Sequence, residues 1–142
     1  MAMTDHDALV QLNHEYASAV RTGVSASQAW GETWAPDGRW ELPGRAVEGR
    51  DAIVELWCAA MGRYAHVVQM YMSPCFDVEG AAATGRIQLL ELTQAADGSR
   101  ATMAGHYDDE YVRTSNGWRF AARTLAIYYH GAPDLSGMFI PS

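Results

Sequence analysis

The sequence predicts an α+β fold in which helices come first and a meander of long antiparallel strands follows on the same core. Three observations predict it. Apolar side chains recur at helical spacing as far as Tyr64, the pattern then turns extended, and glycine-containing turn signals divide the rest into hairpin-sized pieces. No repeat, low-complexity run or linker interrupts residues 1–142, so one domain is expected.

From Asp5 to about Thr22, the side chains Leu9, Leu12, Tyr16 and Val20 share one helix face. Thr4 or Asp5 suits the start of that helix and Gly23 its end. A second short helix is expected from Ser25 to Thr33, with Trp30 and Trp34 on one face. Pro36-Asp37-Gly38 reads as a turn, and Arg39 to Leu42 as a short strand stopped by Pro43-Gly44. Gly49 and Asp51 open a third helix whose apolar face is Ile53, Leu56, Trp57, Ala60, Met61 and Tyr64. Extended patterns then cover His66 to Met72, Ala83 to Thr93, Ala101 to Thr114 and Trp118 to Tyr129. Glu79-Gly80, Asp97-Gly98 and Ser115-Asn116-Gly117 mark the hairpin turns between them. The tail over 130–142 is rich in Pro and Gly but carries Leu135, Met138, Phe139 and Ile140, so it is expected to pack on the domain, over a pocket or an interface.

Composition excludes several function classes. An apolar share of 49% with 11% aromatics excludes a disordered chain. Seventeen acids against ten bases give a net charge of -7, which repels nucleic acid and anionic membrane surfaces, so neither is expected as a partner. All ten basic residues are arginine, and without lysine neither Schiff-base chemistry nor pyridoxal anchoring is open. Nucleophile-elbow, phosphate-loop and dinucleotide motifs do not occur, and no His, Cys and carboxylate cluster has metal-site spacing. No metal and no other cofactor is therefore expected. Cys58 and Cys75 sit in apolar patterns and read as buried free thiols. The N-terminus lacks the basic and apolar runs of a signal peptide, and a cytoplasmic location is expected.

Strand parity sorts the candidate site residues, because side chains alternate faces along a strand. His66 shares a face with Val68, Met70 and Met72, Arg123 with Leu125 and Ile127, and Glu91 with Ile87 and Leu89. Each is an ionisable group among apolar neighbours, where an unpartnered charge is costly. His66 also marks the junction of helix and strand, and a neutral imidazole is well matched to proton transfer near pH 7. A structural histidine, an ion-paired arginine and a paired carboxylate are the competing readings of these three. Tyr16 reads as a core aromatic with its hydroxyl satisfied. His106, Asp108 and Glu110 fall on a polar face opposite Met103, Tyr107 and Tyr111, which suits a solvated or subunit-facing surface.

Several segments in this order resemble a known family. They are Tyr16 to Val20, Trp34-Ala35-Pro36-Asp37-Gly38-Arg39-Trp40, Glu48-Gly49-Arg50-Asp51-Ala52-Ile53, Gly105 to Tyr111, Asn116-Gly117-Trp118-Arg119-Phe120 and the tail from Gly131 to Phe139. Together they are similar to the SnoaL-like group of the nuclear transport factor 2-like superfamily, over nearly the whole chain. The resemblance implies a cone: a strongly curved antiparallel sheet wrapped around a long helix, with an apolar pocket inside. It also implies a cofactor-free lyase, isomerase or cyclase acting on a small apolar, ring-bearing molecule, with dehydratase-like elimination favoured. His66 matches the family's pocket histidine in position, Arg123 an arginine of the final strand and Tyr16 a tyrosine of the first helix. The histidine's usual aspartate is expected in or beside Arg21-Thr22-Gly23-Val24, none of which is acidic, and Glu91 is the substitute candidate. A non-catalytic ligand-binding or accessory protein is the alternative. An epoxide hydrolase, which needs an Asp-Arg-Asp arrangement, ranks third. Self-association, first as a homodimer, is expected from the fold.

Overall fold

The structure, a computed structural model, describes residues 2–141. Three helices, α1 (Asp5–Thr22), α2 (Ser27–Glu32) and α3 (Arg50–Met61), lie against a six-stranded sheet. The strands are β1 (Trp34–Leu42), β2 (Arg45–Glu48), β3 (Tyr64–Glu79), β4 (Ala82–Ala95), β5 (Arg100–Thr114) and β6 (Gly117–Gly131), in the order β2-β1-β6-β5-β4-β3. The sheet is curved and unclosed, as the α+β expectation requires.

α1 forms where its apolar stripe predicts. Leu9, Leu12, Tyr16 and Val20 are buried, and the Thr4 hydroxyl accepts from the Asp7 backbone N–H at 3.1 Å to cap the first turn. The helix packs chiefly on β3. From β3 to β6 the meander pairs antiparallel throughout, with register shifts within the β3–β4 and β5–β6 pairs.

The first half departs from expectation in four places. Trp34 does not share a helix face with Trp30; it opens β1, and a short 3-10 turn, Val24–Ala26, precedes α2. Pro36-Asp37-Gly38 lies within β1, as an irregularity in its pairing with β6. A side chain at Gly38 would meet the Trp34 ring at 2.9 Å, so glycine there lets the strand close over the indole. β1 runs parallel to β6, so the sheet is mixed rather than wholly antiparallel. β2, unexpected from its short sequence, returns along β1 after the Pro43-Gly44 turn, where Gly44 has φ +76°.

Later, Tyr64 starts β3 instead of completing α3, and β3 carries a bulge between Met72 and Cys75 that includes Ser73 at φ 51°. That bulge takes Cys75 out of the apolar register, and the thiol expected to be buried is exposed, while Cys58 is half-buried. The tail folds back on the open edge of β6: Ile140 N–H donates to Tyr128 O at 2.7 Å, and Phe139 lies against the Tyr129 ring at 4.8 Å. Ser142, the last residue of that expected tail, lies outside the described residues. No helix among them is long and apolar enough to cross a membrane.

One end of the interior is filled by indoles. Trp30 and Trp57 stack at 4.5 Å, and Trp34 and Trp40 pack edge-on or tilted around them. The buried indole N–H groups of Trp30, Trp34 and Trp40 find no acceptor among the described residues.

Candidate functional site

Beyond the indoles, the interior turns polar around Arg123. β6 delivers its side chain to the centre, where it is completely buried. Nε and Nη2 donate to the two carboxylate oxygens of Asp109 on the neighbouring strand, at 2.8 and 3.1 Å, and Nη2 also donates to Asn13 Oδ1 of α1 at 2.9 Å. The guanidinium lies over four rings, with Tyr107 at 3.9 Å, Phe120 at 4.1 Å, Tyr16 at 4.5 Å and Tyr71 at 5.4 Å. Asn13 spends both amide hydrogens, on Leu9 O and on the Tyr111 hydroxyl at 3.0 Å each, and Tyr111 in turn donates to Asp109 at 2.7 Å. Burial works against the charged Arg123, but the Asp109 carboxylate overcomes it and holds the group well above its ordinary range. Arg123 is therefore a fixed cation in a low-dielectric centre.

A second polar chain leaves this centre through Tyr71. Arg123 Nη1 approaches the Tyr71 hydroxyl at 3.5 Å, Tyr71 donates to Gln69 Oε1 at 2.7 Å, and Gln69 Nε2 donates to Glu91 Oε2 at 2.7 Å. Gln69 and Glu91 are direct cross-strand partners on β3 and β4. Burial pushes the Glu91 carboxyl up, while the Gln69 hydrogen bond and nearby His130 pull against it. Burial likewise keeps the Tyr71 and Tyr16 phenols well above their ordinary value, so both stay neutral.

This chain borders a cavity of about 360 Å³ between α1 and β3. Its walls are Val10, Ala17, Met72, Pro74 and Ile87, and its polar lining is Asn13, His14, Gln69, Tyr71 and Ser73. The strained Ser73 of the β3 bulge thus sits at the cavity, a place where backbone strain tends to accompany function.

The four expected site residues separate. Arg123 and Tyr16 meet at the buried centre, and Glu91 joins them through Gln69 and Tyr71. His66 does not. The parity that groups it with Val68 and Met70 holds, but that face turns away from α1: Val67, Gln69 and Tyr71 point inward, Met72 reaches the cavity where the bulge begins, and His66 is exposed opposite Gln94. The expected pocket position of His66 and its expected pairing with Glu91 are both corrected. His106 and Asp108 lie on the outer face too, bonded to each other at 3.1 Å, with Arg86 on Asp108 and Tyr128 on His106. Arg123 bonds one aspartate and one asparagine, which does not supply an Asp-Arg-Asp arrangement. No group of three or more potential metal ligands occurs among the described residues.

Sequence reasoning passed over Asp109, Asn13, Gln69, Tyr71 and His14. Signals existed for two of them. Asp109 shares parity with Met103, Tyr107 and Tyr111, although it comes opposite Arg123 only through the one-residue register shift between Glu110 and Tyr111. Asn13 falls four residues after Leu9, inside the apolar stripe of α1. His14 carries no such signal.

A model of the SnoaL-like domain matches residues 1–124. The chain belongs to that family. No functionally curated protein matches it. Among solved structures, a protein of Novosphingobium aromaticivorans assigned as an aromatic ring hydroxylase is 24% identical, with TM-score 0.83, covering 92% of this chain and 95% of its own. One from the same organism assigned as a scytalone dehydratase is 16% identical, with TM-score 0.81 and coverage of 93% and 89%. A hexachlorocyclohexane dehydrochlorinase, LinA type 2, is 18% identical, with TM-score 0.76 and coverage of 97% and 96%. At these identities the structures establish the shared nuclear transport factor 2-like fold of this SnoaL-like chain.

Proposed function

We propose that this SnoaL-like protein is a cofactor-free acid–base enzyme of elimination or isomerisation type, dehydratase-like elimination first, acting on a small apolar ring-bearing molecule. One observation carries the reading: an imidazole, His14, and the Arg123-backed Tyr71–Gln69 chain line the same apolar cavity. Its volume of about 360 Å³ lies in the range of roughly 300–1,000 Å³ typical of small-molecule sites. His14 takes the role expected for His66. It removes a proton from carbon, the C–H electrons form the new double bond, and the same imidazolium returns the proton to the departing oxygen. Arg123, seated on Tyr16 and Tyr107, supplies a fixed positive field through Tyr71, and Glu91 anchors the far end of the chain.

Replacing His14 with glutamine is expected to cut turnover by roughly 10²–10⁴-fold with no change in melting temperature, since the residue is exposed on α1. His66→Gln is expected to retain turnover. Full activity in His14→Gln across a dehydration and isomerisation panel discards the mechanism, and loss in His66→Gln instead returns the base to β3.

A binding or accessory role is the second reading. It is favoured by His14 itself, which has no hydrogen-bond partner among the described residues to fix its tautomer. Saturable ligand binding that survives His14→Gln, with no turnover in any panel, supports that reading over the first. Self-association belongs to either. Met70, Met72, Leu92 and Tyr128 are exposed apolar side chains suited to a subunit contact, and a sedimentation series should show a dimer. A monomer at high concentration refutes it.

A further inference from the structure

We propose that the cavity selects ligands that donate a hydrogen bond, so that a hydroxylated ring is taken in preference to its ether, ketone or halide counterpart. The inference rests on the α1–β3 cavity being the ligand site. It follows from tracing each hydrogen along the polar chain.

An ionised Glu91 carboxylate only accepts, so Gln69 must turn its NH₂ toward it, and that contact is 2.7 Å. The Gln69 carbonyl then faces the other way, where the Tyr71 oxygen lies at 2.7 Å. An amide oxygen cannot donate. The single phenolic hydrogen of Tyr71 is therefore spent on Gln69, and Arg123, which has no acceptor, approaches the same oxygen from the opposite side at 3.5 Å. What Tyr71 keeps for the cavity is a lone pair. Asn13, on the same wall, has no hydrogen left either, with both spent on Leu9 and Tyr111.

At Tyr71 and Asn13 the floor of the cavity thus accepts and does not donate; the donors of the lining are the remaining Gln69 amide hydrogen, the Ser73 hydroxyl and a His14 ring N–H. A ketone, ether or halide placed against Tyr71 and Asn13 sets its lone pairs against theirs, whereas an alcohol or phenol there donates to the Tyr71 oxygen and completes the set. The hydroxyl bound this way keeps its own lone pairs, which are what a departing oxygen needs to receive a proton from His14. The selectivity belongs to the state in which Glu91 is ionised. The groups facing that carboxylate are Gln69 from β3, Tyr107 from β5 and His130 from β6; Tyr71 and Arg123 connect to it only through Gln69, and His14 of α1 lines the same cavity.

The test uses three two-ring probes, 2-naphthol, 2-methoxynaphthalene and 2-chloronaphthalene, titrated into the full chain at pH 8 and followed calorimetrically. 2-Naphthol is expected to bind about tenfold more tightly than either analogue, and Tyr71→Phe, which keeps the ring against Arg123, is expected to shrink that gap to about twofold. Equal or tighter binding of the ether or chloride to the unmodified protein overturns the proposal, whether or not the variant folds. So does a naphthol preference that persists in a folded Tyr71→Phe protein. If none of the three binds, the cavity is not the ligand site, and the functional reading falls together with the inference built on it.

Discussion

Two buried polar regions of this molecule use similar side chains to opposite ends. Around Arg123, Asp109, Asn13 and Tyr111 form a closed set in which nearly every donor meets an acceptor, and four rings cover what remains. Along Gln69, Tyr71 and Glu91, only a few ångströms away, the chain of hydrogen bonds ends beside a cavity with acceptor capacity unspent. A satisfied network holds a fold, and an unsatisfied one is available to a ligand. Burial and charge alone do not separate the two, and counting hydrogens does.

The largest effect expected from breaking that contrast is at Asp109. Asp109→Ala leaves a buried guanidinium without its counter-ion and should cost about 3–5 kcal/mol in urea unfolding. Pairing it with Arg123→Met, which removes the stranded charge, should recover much of the loss. A single mutant within about 1 kcal/mol of the parent shows that the centre is not closed in the way described.

Glu91 should act more weakly and through pH. Its carboxyl is raised in the folded state, so the native protein holds a proton that the unfolded chain releases near its ordinary value of 4.5. Stability contributed by that proton is complete below 4.5 and is lost as pH rises through the raised value. Glu91→Gln removes this fall, and its melting temperature should gain on the parent between acid and neutral pH. Parallel melting curves would show that the carboxyl is not strained by burial. At the small end, His66→Gln on the exposed face of β3 should change stability by less than about 0.5 kcal/mol, and a larger loss would place that imidazole in packing.

The difference between these regions also explains what could be read in advance. Periodicity located α1, α3 and the four-strand meander because each rests on local pattern, from Leu9 to Val20 or from Ala83 to Thr93. Parity grouped His66 correctly with Val68 and Met70 but carries no sign. Alternation says which residues share a face, and only the helix docked on β3 decides which face is inside. Trp34 misled for a related reason: its burial fits a helix or a strand equally well, and the partner that settles it, Phe120, lies at the far end of the chain. His14 drew no reading because it lies off the apolar stripe of α1, and the cavity it lines is walled in part by the β3 bulge at Ser73.

The parallel seam between β1 and β6 has a consequence for how the chain is made. Its first pairing joins Trp34 to Phe120, with the Phe120 N–H donating to Thr33 O at 2.9 Å. During synthesis from the N-terminus, Trp30, Trp34, Trp40 and Trp57 must all leave the ribosome well before the strand that closes over them. Loop closure across that span comes before any reward for the contact, so the tryptophans should gather late and together. Refolding followed by indole fluorescence should therefore report the arrival of the last strand, and the nascent chain carries its largest sticky surface until then.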